Sequence, residues 1–129
     1  MKEPRWISGE VILAVQEELL ARFGGLAGLR DEGLLDSALN RPQHLFAYEE
    51  VELFDLAAAY THGIVKNHPF LDGNKRIGFM AAFIFIGANG YDLQAPEEDV
   101  ILQTLALAAG EIDQATYATW LKASCSIVT

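Results

Sequence analysis

The longest stretch without a charged side chain runs from Ile77 to Tyr91, and it constrains the fold more than any other feature. From Ile77 to Ile86 almost every residue is apolar, so a helix there is apolar on all sides and belongs inside a bundle. The stretch is shorter than the ~18–20 apolar residues that a membrane-spanning helix needs, and it contains Gly and Asn. It therefore predicts the central helix of a soluble bundle.

Five further segments carry apolar residues at the three- and four-residue spacing of a helix with one buried face. Ser8, Asp31 and Asp113 are expected N-caps, and Arg41-Pro42 ends the second helix because the residue before proline avoids the helical conformation. The six predicted helices cover, in order, about residues 8–23, 31–41, 52–66, 73–89, 96–109 and 113–121. No period-two strand longer than four residues, no repeat and no linker is present, so residues 1–129 are predicted to form one all-α domain.

The overall charge excludes several function classes. The chain has nine Lys and Arg and eighteen Asp and Glu, which gives a net charge of −9 and disfavours nucleic acid and anionic membranes as partners.

Cys125 is the single cysteine, so neither an internal disulfide nor a multi-cysteine metal site can form. The N-terminus has no signal-peptide pattern, and a cytoplasmic protein is expected.

One segment, Lys66–Arg76, departs from this acidic balance. It holds three basic residues and one acid, whereas the rest of the chain holds six basic and seventeen acidic residues. Its second half lies at a predicted loop-to-helix junction, where unpaired backbone N–H groups and the helix dipole favour an anion. Gly73 permits close backbone approach, Asn74 adds an amide donor, and Lys75 and Arg76 add positive charge, which together predict a phosphate site.

The same segment contains two residues suited to catalysis. Asp72 can hold Mg²⁺, which prefers carboxylates together with phosphate oxygens. His68 lies four residues earlier, where a neutral imidazole can accept a proton from an attacking hydroxyl.

Each of these residues also has a purely structural interpretation. His68 could cap the carbonyls of the preceding helix, Asp72 could be an N-cap, and Gly73 a turn residue. Lys75 and Arg76 could be solvated charges, although the helix dipole disfavours cations in a first turn. Their occurrence together within nine residues favours a site.

Residues His68–Arg76 resemble the Fic motif, His-x-Phe-x-(Asp/Glu)-(Gly/Ala)-Asn-x-Arg. The similarity to the death-on-curing (Doc) branch of the Fic/Doc family extends over nearly the whole chain. It includes residues 23–25, 28–39, 41–42, 57–60, 89–90 and 120–121. Lys75 stands where AMP-transferring Fic enzymes usually have a second Gly, and Phe79 stands where they have a further Arg.

The resemblance implies a toxin of a type II toxin–antitoxin pair. It would transfer a phosphoryl group from ATP or another nucleoside triphosphate to a protein hydroxyl, a Thr of elongation factor Tu, and arrest translation. It implies His68 as general base, Asp72 as the Mg²⁺ ligand, and Gly73-Asn74 as lining of the phosphate site. Lys75 and Arg76 would neutralise charge on the transferred group, which suits a reaction that depends on positioning and electrostatics. The alternatives are AMP transfer and a catalytically inactive antitoxin-binding module.

The stretch Gln43–Val51 has no clean periodicity and is predicted to be irregular. It corresponds to the region that Fic proteins use as a flap over the target, so Leu45, Phe46 and Tyr48 either contact a protein substrate or cover the core. No internal inhibitory motif of the Ser/Thr-x-x-x-Glu-Gly/Asn type is present, which favours inhibition by an antitoxin in trans.

Overall fold

The computed structural model describes residues 1–128, and the described chain is built from six α-helices and two short strands. The all-α class and the six helices are confirmed. The elements in chain order are α1 (Gly9–Phe23), α2 (Glu32–Tyr48), α3 (Leu53–Asn67), α4 (Asn74–Ala88), β1 (Tyr91–Leu93), α5 (Glu97–Ala109), α6 (Gln114–Ala123) and β2 (Cys125–Ile127).

The expected N-caps are present. The side chains of Ser8, Asp31 and Asp113 accept hydrogen bonds from backbone N–H groups three residues further on, at the starts of α1, α2 and α6. Such bonds satisfy donors that a helix start otherwise leaves unpaired, and they fix where each helix begins.

Helix α2 is longer than the sequence predicts, because it continues through Pro42 to Tyr48. Proline within a helix removes a hydrogen bond and costs about 3 kcal/mol. Pro42 is buried on the same face as Leu35 and Leu39, so burial of this apolar face against α3 offsets the cost. The prediction that residues 43–51 are irregular is therefore wrong for residues 43–48.

Helix α3, rather than α4, is the most deeply buried helix, so the prediction of a central α4 is not confirmed. Eleven of the fifteen residues of α3 are buried. Small residues allow close packing: a Cβ added at Gly63 would lie 3.1 Å from the Ala38 Cα atom in α2. Helix α4 is buried mainly along one side and leaves Phe83 exposed.

Sequence hydropathy does not identify α3 as the most buried helix, because α3 contains polar side chains that form their hydrogen bonds inside the core. Tyr60 and Thr61 are fully buried. The Tyr60 hydroxyl accepts from the Ile7 N–H at 3.0 Å, and the Thr61 hydroxyl donates to the Gly78 carbonyl at 2.8 Å. Paired in this way, polar side chains can be buried at little net cost.

The uncharged stretch that begins at Ile77 does not stay helical to its end, because it is divided between α4, a turn and β1. Within residues 1–128, no helix is both long enough and apolar enough to span a membrane.

Both terminal segments of the described chain attach to the C-terminal end of α4. Strand β1 pairs with β2 in antiparallel register, and the Val128 N–H donates to the Gly90 carbonyl at 3.0 Å. At the other terminus, Arg5 exchanges two hydrogen bonds with the Asn89 side chain, at 2.8 and 3.0 Å. These contacts fix one end of α4, and its other end carries the segment His68–Arg76.

Candidate active site

The loop between α3 and α4 is bounded by two residues in the left-handed conformation. His68 ends α3 with φ 53° and ψ 54°, and Gly73 begins α4 with φ 79°. His68 is the only residue other than glycine with positive φ within residues 1–128. Between the two, Phe70 is fully buried and anchors the loop in the core, so the His68 and Asp72 side chains project from a fixed backbone.

Asn74 closes this loop through its side chain. Its Oδ1 atom accepts from the Phe70 N–H, and its Nδ2 atom donates to the Phe70 carbonyl, both at 3.0 Å. The side chain is 5% exposed, which suits a structural clasp better than a surface contact. A phosphate contact from this amide stays a prediction.

The Asp72 carboxylate is exposed and oriented by two backbone N–H groups. Its Oδ1 accepts from Gly73 at 2.9 Å, and its Oδ2 accepts from Leu26 in the α1–α2 loop at 3.3 Å. The N-cap position of α4 belongs to Gly73, so the N-cap interpretation of Asp72 is wrong. Held at both oxygens, the carboxylate faces the space in front of α4.

The α1–α2 loop packs along the α3–α4 loop. Leu29 and Phe70 form an antiparallel bridge, and the Leu71 N–H donates to the Gly28 carbonyl at 3.1 Å. Gly25 lies so close that an added Cβ would be 2.7 Å from Asp72 Oδ2. No motif in the sequence assigned this role to the α1–α2 loop.

The first turn of α4 is positively charged and contains no acid. Lys75 and Arg76 are both exposed, and within residues 1–128 neither forms an ion pair. The Arg76 guanidinium lies 4.2 Å from the centre of the Phe23 ring, a cation–π contact that leaves its charge available. Two cations at the positive end of a helix dipole are unfavourable without an anionic partner, so this turn is suited to bind an anion.

A cavity of about 530 Å³ opens in front of this turn, within the range of small-molecule sites. One side is formed by His68 and Asp72 and by the first turn of α4. The other side is mainly apolar and consists of residues from α1, α4 and α5: Leu19, Phe23, Phe79, Met80, Val100, Ile101, Thr104 and Leu105. Glu97 also lines it. The cavity therefore suits a ligand with an anionic part and an apolar, ring-containing part.

The contribution of α5 to the cavity was missed by sequence reasoning. In the sequence, Ile101 and Leu105 recur at the four-residue spacing that predicts a buried helix face. The structure leaves them 50% and 45% exposed, on the cavity side. Periodicity identifies an apolar face but does not distinguish the core from a cavity wall.

The three residues predicted for a substrate flap lie near the end of α2, away from the cavity lining. Leu45 and Phe46 are half-buried and pack on the core, where Phe46 meets the Trp6 ring edge-on at 5.7 Å. Tyr48 is 85% exposed. Contact with a protein substrate stays a prediction, and Tyr48 is the side chain available for it.

The residues present fit a divalent cation only together with a phosphate ligand. Within residues 1–128, no three His, Cys, Asp or Glu side chains are grouped to hold a metal by themselves. Asp72 is a single oriented carboxylate beside a cationic turn. This arrangement suits Mg²⁺, which is commonly held by one or two carboxylates plus the phosphates of a substrate.

The model of the Fic/DOC family matches residues 6–86, which include α1 to α3 and most of α4. The chain is 34% identical over 119 residues to "Protein kinase doc" of Escherichia phage P1, covering 92% of this chain and 94% of that protein. It is 44% identical over 77 residues to "Toxin Doc" of Mycolicibacterium smegmatis, covering 57% of this chain and 58% of that protein. The matched family region contains the whole segment His68–Arg76.

Proposed function

The chain belongs to the Fic/DOC family, and on this premise we propose that it is the toxin of a toxin–antitoxin pair and a Doc-like protein kinase. In this proposal it transfers a phosphoryl group from ATP to a protein hydroxyl, with a Thr of elongation factor Tu as the target. Such a target is met in the cytoplasm, so we propose that location too. The observation that carries the proposal is that His68 and the run Asp72–Arg76 of the intact segment line one cavity.

The nucleotide would lie with its phosphates against the first turn of α4. Backbone N–H groups of that turn and the side chains of Lys75 and Arg76 bind the anionic part. The apolar side of the cavity, with Ile101 and Leu105 of α5, accommodates the base.

Asp72 would hold a Mg²⁺ ion together with the phosphate oxygens. When bound, the ion supplies positive charge to the phosphates as negative charge redistributes during transfer. The protein's part is orientation, because Leu26 and Gly73 fix both oxygens of the carboxylate.

His68 acts as the general base in this proposal. Its imidazole accepts the proton of the target hydroxyl as the hydroxyl oxygen bonds to the γ-phosphorus. The bond from that phosphorus to the bridging oxygen breaks, and the nucleoside diphosphate leaves. His68 is exposed at the mouth of the cavity, where a hydroxyl on a large protein can reach it.

Two residues favour phosphoryl over AMP transfer. Lys75 occupies the position of the second glycine found in AMP-transferring Fic enzymes. Phe79 occupies the position of their additional arginine, and it lines the cavity as an aromatic ring that packs against Phe83 and Trp120. The phage P1 relative, named a protein kinase, agrees with this choice.

Incubation with elongation factor Tu and Mg²⁺, using ATP labelled separately at the γ- and α-phosphates, tests the proposal. We expect label on the target from the γ position only. Label from the α position would instead establish AMP transfer. If folded protein free of antitoxin transfers label neither to this target nor to any protein of a lysate, the chain would be a binding module without catalytic activity.

We also propose that an antitoxin inhibits the protein in trans. Ile101, Leu102 and Leu105 expose apolar surface on α5 beside the cavity, where a partner segment can bury it. Co-expression with the protein encoded next to this gene should relieve growth arrest. Arrest that persists despite a soluble neighbouring protein would contradict this.

A further inference from the structure

We infer that Arg30 is the positioning residue for His68, an inference that rests on the proposed function and adds a residue outside the Fic segment. Arg30 lies in the α1–α2 loop, 38 positions before His68. It touches neither the cavity nor, in the proposed reaction, the reacting atoms.

The Arg30 guanidinium binds the two backbone carbonyls at the end of α3. Its Nε donates to the His68 carbonyl at 2.7 Å, and its Nη2 donates to the Asn67 carbonyl at 2.8 Å. These carbonyls lie at the negative end of the helix, where backbone acceptors lack helical partners and a cation is favoured. The planar guanidinium spans both carbonyls, which the single ammonium of lysine cannot do with the same geometry.

His68 needs such support because its backbone is left-handed, a conformation that residues with a Cβ rarely adopt. The backbone around it is held as well. The N–H groups of Arg30 and Asp31 both donate to the Pro69 carbonyl, at 2.7 and 3.0 Å. This backbone fixes the direction of the His68 Cα–Cβ bond, so the bonds from Arg30 set the position from which the imidazole extends.

Within residues 1–128, Arg30 forms no ion pair, although the chain has eighteen acidic residues. Asp31, its neighbour, caps α2 instead. The Arg30 guanidinium thus donates its hydrogen bonds to backbone carbonyls at and next to the proposed base. The same loop holds the proposed metal ligand, through the bond from Leu26 to Asp72, so one loop orients both groups.

Kinetics of Arg30→Met and Arg30→Lys test the inference in the full chain. Misplacement of a catalytic group by ~1 Å costs on the order of 100-fold in rate. We therefore expect kcat for γ-phosphoryl transfer to fall about 100-fold in Arg30→Met, with KM for ATP within about twofold because the phosphate site is untouched. Arg30→Lys should recover part of the loss. The matched control is Arg22→Met, because Arg22 is an exposed arginine paired with Glu18 on α1, and it should retain wild-type kinetics.

Backbone NMR shifts of His68 provide a second measurement that needs no activity. We expect Arg30→Met to move them away from left-handed values, and Arg22→Met to leave them unchanged. If the wild-type protein transfers nothing, the proposed function fails while the shifts still decide the positioning. Unchanged His68 shifts in a folded Arg30→Met, or unchanged kcat, would overturn the inference. Should Arg30→Met fold poorly, Arg30→Lys is judged by the same two measurements.

Discussion

The C-terminal half of α3 carries one cluster of polar residues, and the loop after α3 carries another. Each cluster contains a histidine and an arginine. In the first, His62 lies within the helix, and its Nδ1 atom is 2.9 Å from Arg41 Nη2 and 3.0 Å from Gln114 Oε1. In the second, His68 follows the helix, and Arg76, which lines the same cavity, lies against the Phe23 ring and forms no ion pair within residues 1–128.

The difference lies in how the polar groups are used. The Arg41–His62–Gln114 cluster joins α2, α3 and α6, and its members bond to one another. Around His68, the backbone is held tightly, while the side chains of His68 and Lys75 form no hydrogen bond with another side chain in residues 1–128. Side chains bonded to one another stabilise a fold, whereas exposed ones on a rigid backbone can act on a ligand. The two clusters should therefore respond differently to mutation.

The largest expected effect is that of His68→Ala. Loss of a general base lowers the transfer rate by about 10²–10⁴-fold, and growth arrest on expression should disappear. Nucleotide affinity and Tm should stay close to wild type, because the His68 side chain is exposed and the phosphate site is intact. Single-turnover transfer, nucleotide titration and a thermal melt measure the three quantities. Full toxicity of the variant would exclude His68 as the base.

Lys75→Glu should separate stability from ligand binding. An acid in the first turn of α4 complements the helix dipole and should raise the free energy of unfolding by about 0.3–1 kcal/mol. The reversed charge should weaken ATP binding at least about tenfold.

The matched control for this change is Glu98→Lys in the first turn of α5, outside the cavity lining. It should cost a similar amount of stability and leave ATP binding unchanged. If Lys75→Glu instead destabilised the protein without affecting ATP binding, the first turn of α4 would not be a phosphate site.

Gly25→Ala should disturb Asp72 specifically, and Gly24→Ala provides the comparison. Both glycines have positive φ, so each substitution should cost about 1–3 kcal/mol of stability. Only the methyl group at Gly25 meets the Asp72 carboxylate, whereas that at Gly24 has nothing within 4 Å. A Mg²⁺ titration of nucleotide binding should show several-fold weakening for Gly25→Ala alone. If the two variants required the same Mg²⁺ concentration for nucleotide binding, the orientation of the Asp72 carboxylate would not matter for Mg²⁺ binding.

The smallest effect is expected in the first cluster. Burial, and then the charge of Arg41, lower the pKa of His62 from its ordinary value. The unfolded chain then binds a proton near pH 6.5 that the folded chain does not, so this contribution to stability is present above about pH 6.5 and lost as the pH falls below it. In His62→Gln, the fall of Tm as the pH drops below about 6.5 should be smaller by a few degrees, and phosphoryl transfer should be unchanged. An identical curve for wild type and variant would contradict this role.

Local sequence signals predicted much of this molecule. Caps such as Ser8 and Asp113 and the helix spacings act over a few residues, so they can be recognised without the fold. The segment His68–Arg76 was recognisable because it concentrates a histidine, an acid and two cations within nine residues.

What the sequence did not predict depends on distant partners. Pro42 stays helical because α3 covers it, and α3 can be central because its buried hydroxyl groups find hydrogen-bond partners elsewhere in the chain. The contribution of Arg30 to the site arises from a contact across 38 positions, which no local pattern indicates.

The attachment of both terminal segments to one end of α4 has a consequence for engineering. Arg5 bonds to Asn89 and Val128 bonds to Gly90, so the two segments meet at adjacent residues. The fifteen residues of α4 separate this point from the positively charged first turn of the helix by about 22 Å. A cross-link engineered between these two segments, near Arg5 and Val128, would therefore join parts of the chain that already lie side by side, without reaching the first turn of α4.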